Sequence, residues 1–389
     1  MSGMLVTPKL YGVSSRSSAQ LITPEETPDT REDTPEPSTE GDLRLEREID
    51  CGEEVMSCRF NPSGSLLAVG LLTGIIKVFS VPDGIWVHTL KDEQSVAQRL
   101  PVTALRFHPC RPSSKGDLLL ATWCCRPGGG LPCAPRSPHP CLLPTDAGGQ
   151  VKFWHISTQS CVRSLREDRQ TLAITFSPSA SHFLTAGSSD EILVYDTETM
   201  TCVNICQPSP SLSVMDGHRS RIFGLTFHPL SEEYFISGGW DDTVQFWDIR
   251  QKRSYRRISG PHVCGDALDI DPDTEQILIG SWRKEENLQV WDSETGQKIL
   301  TVPDDFRGPS RVYSCRWLGA GHMIAAGSDL NMCRIIDRHS TLTRGSLVDL
   351  PGGVYSLDVS PPGPPGAPLI AVTSSHRIFL LRPTGSAFS

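Results

Sequence analysis

From residue 60 to residue 361 the chain repeats one mark, an apolar residue followed two positions later by Pro and preceded by alternating apolar residues. It appears as Phe60-Pro62, Phe107-Pro109, Phe176-Pro178, Phe227-Pro229, Ile270-Pro272 and Val359-Pro361, and Trp317 stands in the same context before Leu-Gly. Successive separations are 47, 69, 51, 43, 47 and 42 residues. A second mark, an aromatic or apolar residue closing a strand-like run, follows each first one: Phe79, Trp154, Tyr195, Trp247, Trp291, Ile336 and Phe379. Its offsets are 19, 47, 19, 20, 21, 19 and 20, so both series place one insertion inside the second repeat. A period near 45 residues is the signature of an array whose units bury their apolar faces only against each other.

Each repeat reads as three or four short alternating strands split by turn residues. The fourth is the clearest, with RIFGLTF, EYFISGG, TVQFWDI and RSYRRI. Gly and Pro number 33 and 31 in 389 residues, which suits many short elements and argues against a helical bundle. Seven four-stranded units predict an all-β, seven-bladed propeller. The residues after Phe379 are too few for a last strand, so LRLEREI (Leu43 to Ile49) is expected to complete blade seven from the N-terminal side and remove its open edge.

The segment Gly217 to Arg250, GHRSRIFGLTFHPLSEEYFISGGWDDTVQFWDIR, resembles the WD-repeat (WD40) family, and Gly280 to Gly296 resembles its second half. The other copies replace Trp-Asp by Phe79-Ser80, Trp154-His155, Tyr195-Asp196, Ile336-Asp337 and Phe379-Leu380. The resemblance implies the propeller and a protein-binding role, not a reaction. It also implies that His218, Ser237, Asp241 and Trp247 form a structural hydrogen-bond tetrad, and it makes blade four the most firmly anchored. A Ser/His/Asp hydrolase made from the first three is rejected, since the chain lacks a G-x-S-x-G elbow.

Within the same stretch, Asp241, Trp247, Asp248 and Arg250 resemble the Trp-Asp-x-Arg box of propellers that dock on the adaptor of cullin-type ubiquitin ligases. That resemblance makes a substrate receptor the alternative to a non-enzymatic scaffold. Trp240 and Trp282 occupy equivalent turns between second and third strands. With Arg221, Arg283, Arg311 and Tyr313 they form a candidate partner-binding upper face; packing of each Trp over a neighbouring blade stays open beside it. The basic run RQKRSYRR from Arg250 is read as charge that blunts a sheet edge, ahead of an anionic partner or a nuclear-import signal.

Domain limits follow. Residues 1–42 form an acidic, Pro/Thr-rich arm expected to be disordered, with candidate phosphorylation sites at Thr7, Thr23, Thr27 and Thr34, each followed by Pro. Residues 43–385 form the propeller, and 386–389 a tail. Residues 124–148, rich in Pro, Gly and Cys, are expected to be a disordered insertion in blade two, with an alternative transcript as one origin. Cys124, Cys125, Cys133, Cys141 and His139 lie in it without a C-x-x-C pair, so no metal is expected, and no cofactor. The net charge is −9, of which the first fifty residues carry −6, so a nucleic-acid partner is not expected. No apolar run nears the roughly 20 residues that span a bilayer. Thirteen scattered cysteines show no secreted disulfide framework. The chain is expected to be an intracellular, cytoplasmic monomer within a complex of other proteins, with nuclear presence left open.

Overall fold

The computed structural model describes residues 36–109, 141–319, 321–361 and 367–385. Two strands precede the first repeat, β1 (Ser38–Gly41) and β2 (Leu43–Asp50). Blade one is β3 (Val55–Phe60), β4 (Leu66–Leu71), β5 (Ile76–Ser80) and β6 (Ile85–Leu90). A short helix, α1 (Glu93–Gln98), follows, capped by Asp92, which accepts from the Ser95 amide. Blade two is β7 (Val102–Phe107), β8 (Cys141–Asp146), β9 (Gln150–His155) and β10 (Ser160–Arg166). Blade three is β11 (Thr171–Phe176), β12 (His182–Gly187), β13 (Ile192–Asp196) and β14 (Cys202–Cys206). Blade four is β15 (Ile222–Phe227), β16 (Tyr234–Gly239), β17 (Thr243–Asp248) and β18 (Arg256–Ser259). Blade five is β19 (Leu268–Ile270), β20 (Gln276–Gly280), β21 (Leu288–Asp292) and β22 (Lys298–Thr301). Blade six is β23 (Arg311–Leu318), β24 (His322–Ser328), β25 (Cys333–Asp337) and β26 (Thr343–Val348). Blade seven is β27 (Leu357–Val359), β28 (Ile370–Ser374) and β29 (Arg377–Pro383), completed by β2.

Each blade is an antiparallel sheet in chain order, and the first strand of each touches the first strand of the next. Strand β27 touches β3, which closes a ring of seven. The head-to-tail pairing runs from Leu43 against Pro383 to Asp50 against Arg377, as the alternation of LRLEREI predicts. Apolar clusters lie between blades rather than inside them; Ile236, Val244 and Phe246 of blade four pack with Leu268, Ile277 and Ile279 of blade five. Burying such a stripe on both faces of every blade is what holds the ring together.

Two boundaries differ from the sequence reading. Residues 36–42 belong to the ordered ring: β1 adds a fifth strand to the outer edge of blade six, Ser38 opposite Val348 and Gly41 opposite Gly345. Arg307 pairs with Glu40 and Arg344 with Asp42, 3.3 Å, fixing a strand whose own residues are mostly exposed. The insertion read at 124–148 is also too long at its C-terminal end. Residues 141–146 are β8, the second strand of blade two, with Leu142 opposite both Phe107 and Trp154. Local turn chemistry explains this. The Asp146 carboxylate accepts from the amides of Gly148 and Gln150, at 2.8 and 3.0 Å, and Gly149 takes φ +82°. That turn delivers Leu142 and Leu143 into the blade interfaces, both fully buried. Residues 124–140, with four of the five groups weighed for zinc, lie outside the described residues, as do Thr7, Thr23, Thr27, Thr34 and 386–389. Cys141 is buried in β8.

Candidate interaction site

In an antiparallel blade the start of the first strand and the turn from second to third lie at one end, so seven such pairs ring one mouth of the propeller. Blade four shows how that end is fixed. His218 precedes β15, Ser237 lies in β16, Asp241 in the following turn and Trp247 in β17. Trp247 Nε1 donates to Ser237 Oγ at 2.8 Å, and Ser237 Oγ lies 2.7 Å from His218 Nε2. His218 Nδ1 stands 3.0 Å from Asp241 Oδ2, which also accepts from the Arg219 amide at 2.8 Å, while Thr243 donates to Oδ1. His218, Ser237 and Trp247 are fully buried, so every polar atom of the chain needs its partner. Burial alone would raise the Asp241 carboxyl, but the hydrogen bond and charge of His218 and the Arg219 amide outweigh it and hold the group below its usual range. Ser237 is thus sealed between Trp and His, with no path for a substrate, and the four residues serve as a brace.

Blade three carries a brace that sequence reasoning missed. Register aligns Tyr195 with Trp247 and Thr185 with Ser237. In place of the histidine stands Glu167, buried, which accepts from the Tyr195 hydroxyl at 3.0 Å, from Thr171 at 3.0 Å and from Thr185. Arg169 Nε donates to the same carboxylate at 2.8 Å. Burial, followed by the Glu167 charge, pushes the Tyr195 hydroxyl pKa up. The sequence offers only a Tyr at the Trp position as a signal.

On the mouth above these braces, six rings follow one another across four blades. Phe223 stacks on Trp240 at 5.3 Å between centroids, Trp240 on His262 at 5.9 Å, and His262 meets Trp282 at 6.4 Å. Trp282 meets Tyr313 at 6.3 Å, and Tyr313 meets Tyr355 at 5.1 Å. Arg221 lies over the Trp240 ring at 5.5 Å and Arg311 over Trp282 at 4.4 Å. Trp240 and Tyr355 are the most open of the six, 41% and 40% exposed. Arg283 pairs with Asp242 at 2.8 Å, and Arg311 with Asp329 at 3.2 Å. The structure therefore brings Arg221, Trp240, Trp282, Arg311 and Tyr313 into one ribbon and sets Arg283 beside it. Phe223, His262 and Tyr355 join it without having been singled out. Phe223 and Tyr355 carried a positional signal, since each stands four residues before the first mark of its repeat, as Tyr313 does, whereas His262 stands eight before and carried none. Both tryptophans pack on neighbouring rings, as the packing reading expects, and Trp240 keeps 41% of its surface exposed.

Arg250 sits at the opposite end of blade four. Its fork grips Asp248, Nε to Oδ1 at 2.9 Å and NH2 to Oδ2 at 2.6 Å, and its NH1 reaches Glu233 at 2.8 Å. The basic run that follows is engaged along the blade edge: Arg256 lies over Phe246 at 4.1 Å and Arg257 donates to the Met215 carbonyl.

A known-family model, the WD domain, G-beta repeat, matches residues 209–248, which contain the whole blade-four brace. The chain is a WD-repeat protein. It is similar to coronin-7 of Rattus norvegicus, 26% identical over 152 residues, covering 38% of this chain and 16% of the relative. It resembles periodic tryptophan protein 2 of Arabidopsis thaliana, 22% identical over 349 residues, 72% of this chain and 38% of the relative. It is also similar to ribosome biogenesis protein YTM1 of Candida albicans, 26% identical over 142 residues, 36% of this chain and 29% of the relative. The matches span well under half the length of each of these relatives. This WD-repeat ring is of a kind that binds other proteins, and no catalytic family is indicated.

Proposed function

We propose that this WD-repeat propeller is a non-enzymatic scaffold that holds a partner protein across the upper mouth of blades four to seven. The observation that carries the reading is the aromatic ribbon from Phe223 to Tyr355, saddled by Arg221 and Arg311. Aromatic and arginine side chains held rigid by their neighbours lose little entropy on binding and present both apolar area and donors, which is the make-up of an interface hot spot. The ring beneath supplies rigidity, and a closed propeller can offer other partners its rim at the same time.

The ubiquitin-ligase alternative is not carried forward. The Arg250 fork that this alternative would offer to an adaptor pairs with Asp248 and Glu233, and we read the box as a turn brace. We place the scaffold in the cytoplasm. Burial pushes the thiols of Cys51, Cys58, Cys206 and Cys315 up to about 12, so they act as core residues.

Affinity capture from cells with the full chain, and with Trp240→Ala and Trp282→Ala combined, tests the proposal. The prey bound by the unaltered protein is expected to be lost from the double variant while its circular dichroism and melting temperature hold. Identical prey from a folded double variant overturns it.

A further inference from the structure

The first strand of each blade lines the hole of the ring, and the residue just before each repeat's first mark occupies the same level on it. Around the ring these are Arg59, Arg106, Thr175, Thr226, Asp269, Arg316 and Asp358. The two aspartates have work of their own. Asp269 Oδ2 accepts from the Trp317 amide at 2.8 Å, and Asp358 Oδ2 from the Phe60 amide at 2.8 Å, so each staples its blade to the next. Asp358 reaches Arg59 and Arg316 only through longer pairs, 3.7 and 3.8 Å.

The three arginines converge instead on Asp266, in the loop before β19. Arg106 NH2 lies 3.0 Å and Arg316 NH2 2.6 Å from Asp266 Oδ2, and Arg59 pairs with that same oxygen. Blades one and two do not neighbour blade five, so these pairs cross the central channel. Among the described residues, only these guanidinium groups donate to the Asp266 side chain. Its backbone is pinned separately, with its carbonyl accepting from Ser314 Oγ and Arg316 NH1. The carboxylate remains partly open, 20% exposed, as does Arg106 at 19%.

The three guanidinium groups all meet one and the same oxygen of the Asp266 carboxylate, while their NH1 arms are held by backbone carbonyls. A tetrahedral oxyanion offers one oxygen to each fork and leaves another for water. We propose that the central channel is a phosphoryl-binding site formed by Arg59, Arg106 and Arg316, with the Asp266 carboxylate as its built-in competitor. The ligand is a phosphate group, either as the free ion or on a phosphorylated side chain, and it displaces the Asp266 side chain while the backbone of that loop stays in place. This site is separate from the aromatic ribbon and does not depend on what binds there.

The test is calorimetric titration of the full chain with inorganic phosphate at fixed ionic strength, comparing the unaltered protein with Asp266→Asn and Asp266→Ala. Both variants are expected to bind phosphate about tenfold or more tightly than the unaltered protein, and adding Arg316→Gln to either is expected to abolish the gain. A second arm uses a short phosphothreonine peptide: binding of phosphate alone assigns the site to the free ion, and binding of both assigns it to phosphorylated side chains as well. If folded Asp266→Asn and Asp266→Ala bind neither ligand more tightly than the unaltered protein, or if the gain survives Arg316→Gln, the proposal is wrong. Should both variants fail to fold in chloride, refolding in phosphate at equal ionic strength becomes the readout, and no recovery there overturns the proposal equally.

Discussion

Blades three and four solve one problem with different chemistry. Both must tie the loop that enters the blade to a buried aromatic on the third strand. Blade four does it with a histidine and a serine beneath Trp247, handing the charge to Asp241 at the edge. Blade three buries the charge itself, Glu167, and surrounds it with Tyr195, Thr171, Thr185 and Arg169. The lesson is that the geometry of the sheet fixes where a brace must stand, whereas side-chain chemistry has several ways to fill the place. The two differ in risk. A chain of separate hydrogen bonds loses one bond at a time, but a buried carboxylate is either fully paired or strongly destabilising.

Substitutions separate these designs. Trp247→Ala removes the largest fully buried side chain among the described residues and is expected to cost about 3–5 kcal/mol in denaturant unfolding. Glu167→Ala is expected to cost about 3 kcal/mol, because Arg169 is left buried without its carboxylate. A Glu167→Ala protein as stable as the unaltered one would show that the blade-three brace is ornamental. Ser237→Ala leaves His218 Nε2 and Trp247 Nε1 without a shared partner, and about 1–3 kcal/mol is expected. Tyr195→Phe deletes one of four bonds to Glu167 and should fall near 1 kcal/mol by the same measurement. If the order of the last two were reversed, the buried charge would be the more dependent on its hydroxyl.

Acid makes the smallest and most selective difference. The folded-state pKa of Asp241 is depressed, so its contribution to stability is complete above the ordinary carboxylate pKa, about 3.9, and fades as pH falls through the lower folded value. Hydrogen exchange of the Arg219 amide, which donates to Asp241, is expected to quicken relative to neighbouring amides as pH drops below about 4. An Arg219 amide as protected in acid as at neutrality would mean that Asp241 does not anchor the loop.

The contrast also explains what could be read beforehand. Blade four was legible residue by residue because its brace uses the family's own letters at fixed spacing; the repeat marks gave seven blades, and the alternation of LRLEREI gave the closing strand at Leu43 to Ile49. Glu167 was not legible, since nothing in a lone glutamate tells which hydroxyls will surround it. The β8 strand was missed because its six residues sit at the end of a Pro/Cys-rich stretch and only the turn at Asp146 reveals their register. Strand β1 was missed for another reason: four mostly exposed residues carry no periodic signal, and what selects them is the free edge of β26, some three hundred positions away in the chain.

Short-range order, then, was written into the sequence. Alternation of apolar residues, turn chemistry and a period near 45 residues determine strands, blades and their number, because each depends on neighbours within one repeat. The tertiary structure alone decided which side chains meet across the ring. Arg59, Arg106 and Arg316 come together on Asp266, and Phe223 to Tyr355 line up on one mouth, because closing a ring brings equal positions of different repeats to the same height. No local pattern encodes that meeting; it follows from the closure.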